Sequence, residues 1–250
     1  MMGVIDEVAV VTGAAQGNGK AIAIGLAQHG AKIAVCDIQL EAAEKVAAEI
    51  SCTGAIAKAF KVDVTSSTSV TELAQSVADE LGQTSILINN AGIIRRTPAD
   101  SPTFEQDWHA VMSVNANGPM LMIRAFLTQL TATQGRIVNL ASIMSVTAGP
   151  GLSGYAASKG ALLQLTKGLA HDLAPLGIRI NAIAPGVIET PMTIATRENP
   201  ESIGRFMAHT PMKRVGQPEE LVGPILFLVS NLSSYVTGVL LPVDGGYLAA

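Results

Sequence analysis

The chain has 250 residues, 48% hydrophobic, 14% charged and 4% aromatic, with a formal net charge of -4. An acidic balance with no Lys/Arg cluster excludes nucleic acid as the expected partner, and two separated cysteines, Cys36 and Cys52, do not suit a zinc site or a disulfide framework. Neither residues 1–7 nor the short apolar run at 221–229, broken by Gly223 and Pro224, suits a targeting or membrane segment, so a soluble cytoplasmic protein without a metal is expected.

Val8-Ala9-Val10-Val11 is a short, largely β-branched run between acids and glycines, and predicts a buried strand. Thr12-Gly13-Ala14-Ala15-Gln16-Gly17-Asn18-Gly19 follows, and residues 20–29 have a helical pattern. Strand, glycine turn and helix in that order form a phosphate cradle, because glycine lets the backbone approach and the helix N–H groups attract an anion. The spacing is not G-x-G-x-x-G, and plain turn glycines would look the same. Residues 32–36 predict a second strand ending at Asp37, 24 residues after Gly13. A carboxylate there accepts hydrogen bonds from a ribose diol and repels a 2′-phosphate. Gln16, Ile38 and Gln39 offer such a phosphate no cation, so the expected cofactor is NAD. The same position also suits a cap for a helix over 40–50.

The alternation continues. Residues 55–62 predict a third strand before Asp63-Val64, 66–81 a helix, and 86–88 a fourth strand before Asn89-Asn90-Ala91-Gly92. Those small residues would let a flat ligand lie close, although both asparagines serve equally well as turn residues. Residues 104–131 read as mostly helical, carrying Asn115 and Asn117, with Gly118-Pro119 expected to bend or divide the helix. A fifth strand over 136–141 ends at Ser142, and a glycine-rich loop leads to a helix over 154–173. A sixth strand over 178–183 precedes Pro185-Gly186, residues 190–211 read as a mobile substrate flap, 218–229 as a helix and 239–243 as a seventh strand.

Strand and helix thus alternate without a linker. That predicts an α/β fold over residues 1–250 as one domain: a doubly wound, Rossmann-like, seven-stranded parallel sheet with helices on both faces. Ligands of such sheets bind beyond the carboxyl ends of the strands, where the glycine turn, Asp37, Asp63, the Asn89 loop, Ser142 and Pro185-Gly186 all fall. Tyr155 and Lys159 lie four apart, on one helix face. A cation beside a phenol favours the phenolate, making a proton carrier out of a group that ordinarily titrates near ~10.

Taken in order, Thr12-Gly13-x3-Gly17-x-Gly19, Asn89-Asn90-Ala91-Gly92, Asn115, Ser142, Tyr155-x3-Lys159 and Pro185-Gly186 resemble the short-chain dehydrogenase/reductase family over essentially the whole chain. The resemblance implies a catalytic tetrad of Asn115, Ser142, Tyr155 and Lys159, a nicotinamide cofactor and a homotetramer. Tyr155 would take the alcohol proton, Ser142 would hold the oxygen, Lys159 would lower the Tyr155 pKa and hold the ribose, and Asn115 would position a water. With the residue reading, it gives cofactor contacts at Gly13, Gln16, Gly17, Asn18, Gly19, Asp37, Asp63, Val64, Asn89, Ala91, Gly92, Tyr155, Lys159, Pro185, Gly186, Ile188 and Thr190. Asn18 departs from the pattern, since most relatives carry Ile there.

Residues 89–96, 211–216 and 243–248 resemble sugar-acid members of that family, gluconate 5-dehydrogenase and 2-deoxygluconate 3-dehydrogenase among them. The expected activity is NAD-dependent hydride transfer between the nicotinamide and a secondary alcohol or ketone of a sugar, sugar acid or polyol. Arg95 is expected to meet an anionic substrate group, and Met144, Ser153 and Met192 to shape the pocket. Three readings stay open beside it: a ketone or alcohol oxidoreductase of other specificity, a 3-oxoacyl carrier-protein reductase, and a non-catalytic NAD-sensing or structural protein. The apolar tail, 239–250, is expected to be buried between subunits.

Overall fold

The computed structural model describes residues 4–249; the first three residues and Ala250, where the N-terminal and tail readings begin and end, lie outside them. Seven strands form one parallel sheet: β1 (Val8–Thr12), β2 (Lys32–Asp37), β3 (Ala57–Lys61), β4 (Thr84–Asn89), β5 (Arg136–Leu140), β6 (Arg179–Pro185) and β7 (Leu240–Val243). Their spatial order is β3-β2-β1-β4-β5-β6-β7, every neighbouring pair parallel. The order reverses between β1 and β4, where diverging connections leave a crevice above the strand ends.

Period-2 alternation decides which helices pack on which face. Ala9, Val11, Ile33, Val35, Ile86 and Ile88 point to one side, against α1 (Gly17–Gln28), α2 (Leu40–Ser51) and α9 (Val222–Val229). Val8, Val10, Ala34, Leu87 and Ile137 point to the other, against α3 (Ser67–Leu81), α5 (Gly118–Thr133) and α6 (Ser153–Leu173). Central strands are therefore buried throughout, as β1 and β4 are, whereas the edge strand β3 alternates and exposes Lys58 and Lys61.

The helix after β4 departs from expectation. α4 (Phe104–Met112) passes into a π-helical turn at Ser113–Asn117 and then into α5, so the irregularity comes before Gly118-Pro119 and not at it. Pro119 falls in the first turn of α5, where a missing N–H costs little. The π-turn adds a residue to one turn and re-aims Asn115 inward. Residues 190–211 are more ordered than their mixed composition suggests. Thr190 caps a short turn at Pro191–Thr193, followed by α7 (Ile194–Arg197) and α8 (Pro200–His209), the latter capped by Asn199, whose Oδ1 accepts from Ser202 N at 2.9 Å. Residues 218–229 divide into a 3₁₀ turn, Pro218–Leu221, and α9.

No helix among the described residues is long and apolar enough to cross a membrane, and no group of three or more His, Cys, Asp or Glu side chains is placed to hold a metal there.

Candidate active site

Two cavities open at the carboxyl ends of the strands and meet at a neck formed by Asn18, Asn90, Gly92, Thr190 and Met192, which line both. The larger, about 320 Å³, runs over the glycine turn to Asp37 and Asp63. The smaller, about 100 Å³, contains Ser142, Tyr155 and Lys159.

The glycine turn fits a phosphate on steric and electrostatic grounds. Gly13 has φ +62, and a Cβ there would stand 2.9 Å from Ala91 Cα, so no side chain can intrude. A Cβ at Gly19 would meet the Gly13 carbonyl oxygen at 2.2 Å; Gly19 lets the turn close and does not itself line either cavity. The N-terminus of α1 has no side-chain cap and no acid in its first turn, leaving its N–H groups and positive dipole end to an anion.

Asp37 is 8% exposed; its Oδ2 accepts the Ala15 N–H at 3.1 Å and its Oδ1 the Gln39 N–H at 3.0 Å. A carboxylate offers about four acceptor positions, so two remain for a diol. No lysine or arginine lines this cavity. Asp63 lies beside Val64 at the far wall, its carboxyl held below the usual range by hydrogen bonds from the Thr65 hydroxyl, 2.7 Å, and backbone N–H, 2.9 Å.

The loop after β4 divides its two asparagines between different tasks. Asn89 was expected at the cofactor, but its side chain turns into the sheet, donating to Asn139 Oδ1 at 2.8 Å, and it lines neither cavity. Asn90 lines both, and its Nδ2 donates to the carbonyls of Thr12 and Gly13 at 2.8 and 3.0 Å. The Thr12 hydroxyl accepts from the N–H groups of Asn90 and Ala91, both at 3.0 Å. Asn89 is the last residue of β4 and pairs with Asn139 in the sheet, whereas the chain turns at Asn90, which leaves the strand over the glycine turn.

Ser142 follows β5 and opens the short turn Ile143–Ser145. Its Oγ accepts from Met144 N at 3.1 Å, while Ser145 Oγ accepts from Ser142 N at 3.2 Å, a reciprocal cap that fixes the side chain. Tyr155 and Lys159 project from one face of α6, as their spacing predicts, and both line the smaller cavity with Ser142. Pro185, Gly186 and Ile188 complete its wall.

The expected lowering of the Tyr155 pKa by Lys159 is not what this arrangement produces. Burial pushes the phenol above its ordinary value, while hydrogen bonding with Ser142 and the positive charge of Arg96 pull it back. Lys159 Nζ sits 5.9 Å from the ring centroid and donates to the Leu140 carbonyl at 2.6 Å, and its own pKa is lowered by burial to about 8. At about 8 the amine is still mostly protonated at neutral pH, yet burial of the phenol outweighs the charges around it.

Asn115 is fully buried and braces the loop. Its Oδ1 accepts from Ile93 N at 2.8 Å, and its Nδ2 donates to Ile93 O at 2.9 Å and Ser158 Oγ at 3.0 Å. Ser158, which the sequence reading passed over, donates in turn to the Tyr155 carbonyl at 2.7 Å. Asn115 lines neither cavity; its amide ties the loop after β4 to the start of α6.

The substrate residues separate in the same way. Arg95 pairs with Asp107, Nε to Oδ1 at 3.5 Å, beside a groove of about 10 Å³, room for at most one water, and lines neither of the two cavities. Its neighbour Arg96 donates to the Thr196 hydroxyl on α7, and its charge is the one that acts on Tyr155. Met144 packs with Ile143 and Leu152 in a small apolar cluster under Tyr155, and Ser153 is exposed at the first turn of α6; neither lines a cavity with Ser142, Tyr155 and Lys159. Met192 does. An unforeseen aromatic contact completes this side: Phe206 of α8 meets Tyr247 at 5.8 Å between centroids, tying the 190–211 segment to the C-terminal turn.

A family model described as enoyl-(acyl carrier protein) reductase matches residues 13–248. Among curated relatives, galactitol 2-dehydrogenase (L-tagatose-forming) of Cereibacter sphaeroides is 41% identical, covering 96% of this chain and 94% of its own. Cyclopentanol dehydrogenase of Comamonas sp. is 38% identical, covering 98% of both. Among solved structures, a gluconate 5-dehydrogenase from Burkholderia cenocepacia, in complex with NADP and tartrate, superposes with a TM-score of 0.94 at 36% identity, covering 100% of this chain and 98% of that one.

Proposed function

From the premise that the chain belongs to the short-chain dehydrogenase/reductase family, and is thus an oxidoreductase acting on CH–OH groups with a nicotinamide cofactor, we propose that it uses NAD and that its substrate is a sugar, sugar acid or polyol. One observation carries the cofactor choice: the Asp37 carboxylate stands in a cavity wall that contains no cation, so a ribose diol is welcomed there and a 2′-phosphate repelled. Polyol and sugar-acid relatives support the substrate class, and Arg96, which lines neither cavity but carries the charge that acts on Tyr155, is the proposed guanidinium for an anionic group.

The nicotinamide, when bound, accepts hydride from the carbinol carbon or returns it to the carbonyl carbon. The rest falls to the chain. Ser142 Oγ, fixed by its reciprocal cap, holds the substrate oxygen and steadies charge developing on it. Tyr155 takes the proton from that oxygen during oxidation and gives it back during reduction. Burial favours the protonated phenol, so Ser142 and Arg96 supply the stabilisation that oxidation requires. Lys159 Nζ is assigned to the nicotinamide ribose hydroxyls, and Asn115 keeps the Gly92–Ile93 backbone in place beside them.

The same reading takes residues 1–250 as one cytoplasmic domain in which 190–211 closes over the alcohol side. It takes the half-exposed apolar edge β7, with exposed Leu232, Tyr235 and Val239 nearby, as contact surface of a homotetramer. The test is a panel of galactitol, gluconate and cyclopentanol, each assayed with NAD and NADP. NAD-dependent turnover of the polyol or sugar acid is expected. A preference for NADP overturns the cofactor choice, and cyclopentanol as the best substrate overturns the sugar reading.

A further inference from the structure

Asn18 is the second residue of α1 and lines both cavities at their neck. The two ends of its amide are in different surroundings. Oδ1 is shut away from solvent with no donor in reach, whereas Nδ2 has no protein partner and is not among the buried unpartnered atoms of the described residues. With the carbonyl shut away, Nδ2 is the end of the amide left accessible on a residue that lines both cavities. That orientation leaves a buried acceptor unsatisfied, a cost to the free protein. It is complementary to an anion lying between the adenosine and nicotinamide ends of a bound dinucleotide, next to the uncapped start of α1.

We propose that the Asn18 side chain is a cofactor contact in its own right, its Nδ2 donating to the pyrophosphate at the junction of the two cavities. The contact adds a side-chain donor to the backbone cradle in a cavity wall that has no lysine or arginine to neutralise the phosphates. It rests on the reading that a dinucleotide fills these cavities.

The experiment is calorimetric binding of NAD, ADP and adenosine to the wild-type protein and to Asn18→Leu, Asn18→Asp and Asn18→Ala, with the Tm of each free protein measured alongside. Asn18→Leu is expected to weaken NAD and ADP by about tenfold each, equivalent to about 1.4 kcal/mol, and to leave adenosine unchanged. Its free-protein Tm should rise, because the unsatisfied carbonyl is gone. Asn18→Asp should weaken NAD and ADP further than Leu does, since a carboxylate at the neck repels phosphate. Undiminished NAD and ADP binding in Asn18→Leu and Asn18→Ala would overturn the contact. So would an equal loss for adenosine, which lacks phosphate, or an Asp variant that binds more tightly than Leu. Wild-type protein that bound neither NAD nor NADP would instead overturn the dinucleotide reading itself, and the contact with it.

Discussion

The adenosine side and the alcohol side of the crevice are built by different means. On the adenosine side the principal wall residues belong to a strand end or the turn after it: Gly13 after β1, Asp37 closing β2, Asp63 after β3 and Ala91 after β4. The sheet brings these together, and Val114 with Thr190–Met192 closes the wall. On the alcohol side Ser142 is fixed by a reciprocal cap, Tyr155 and Lys159 by α6, and Arg96 by a contact with Thr196, a hundred residues on in the chain. Specificity for the cofactor is thus written in short motifs, and specificity for the alcohol in long-range contacts. Relatives named for galactitol and for cyclopentanol show that the alcohol differs within the family.

Substitutions can separate the two sides. The largest effect should come from Tyr155→Phe, which keeps the ring but removes the proton carrier: turnover should fall by about 10²–10⁴, while NAD affinity measured by fluorescence titration stays near wild type. A variant that kept most of its rate would end the assignment. Asp37→Ala should act only on the adenosine side, lowering kcat/KM with NAD by about 10–100-fold, the worth of about 1.5–3 kcal/mol in hydrogen bonds to a charged group, and shifting the NAD:NADP ratio toward NADP. An unchanged ratio would show that the carboxylate does not set the choice. Arg96→Gln should act only on the alcohol side, raising KM for gluconate by about tenfold while KM for galactitol barely moves, since only the former carries a carboxylate for the guanidinium to meet. Equal effects on both would make Arg96 a tie to α7 and nothing more.

The smallest effect is on stability. The Lys159 pKa is lowered from 10.5 to about 8 in the folded protein, so between those values the unfolded chain binds more protons and stability rises with pH. Below about pH 8 the cost of charging the buried amine is fully present. Tyr155 has the opposite sign: its raised pKa makes stability fall once pH passes the ordinary value of 10.0. Chemical denaturation between pH 7.5 and about 9.5 should therefore show a rise that Lys159→Met abolishes.

Pattern and motif were enough to read the seven strands, the two helical layers, the phosphate turn and the spacing of Tyr155 and Lys159. They failed where neighbours in sequence are not neighbours in space. Asn89 and Asn90 are indistinguishable as letters, and the end of β4 falls between them, leaving one in the sheet and the other at the crevice. Arg95 and Arg96 are equally alike, and Asp107 on α4 claims the first while Thr196 on α7 takes the second. Asn115 carries no local sign that Ile93 and Ser158 will consume its amide.

By itself the sequence determined the sheet, the carboxyl-end crevice and the cofactor cradle, because each depends on periodicity or on a turn only a few residues long. The tertiary structure decided which of two like residues faces the site and which charge acts on the phenol. Direction, burial and Coulombic reach depend on what packs opposite, and that is fixed only when distant segments meet.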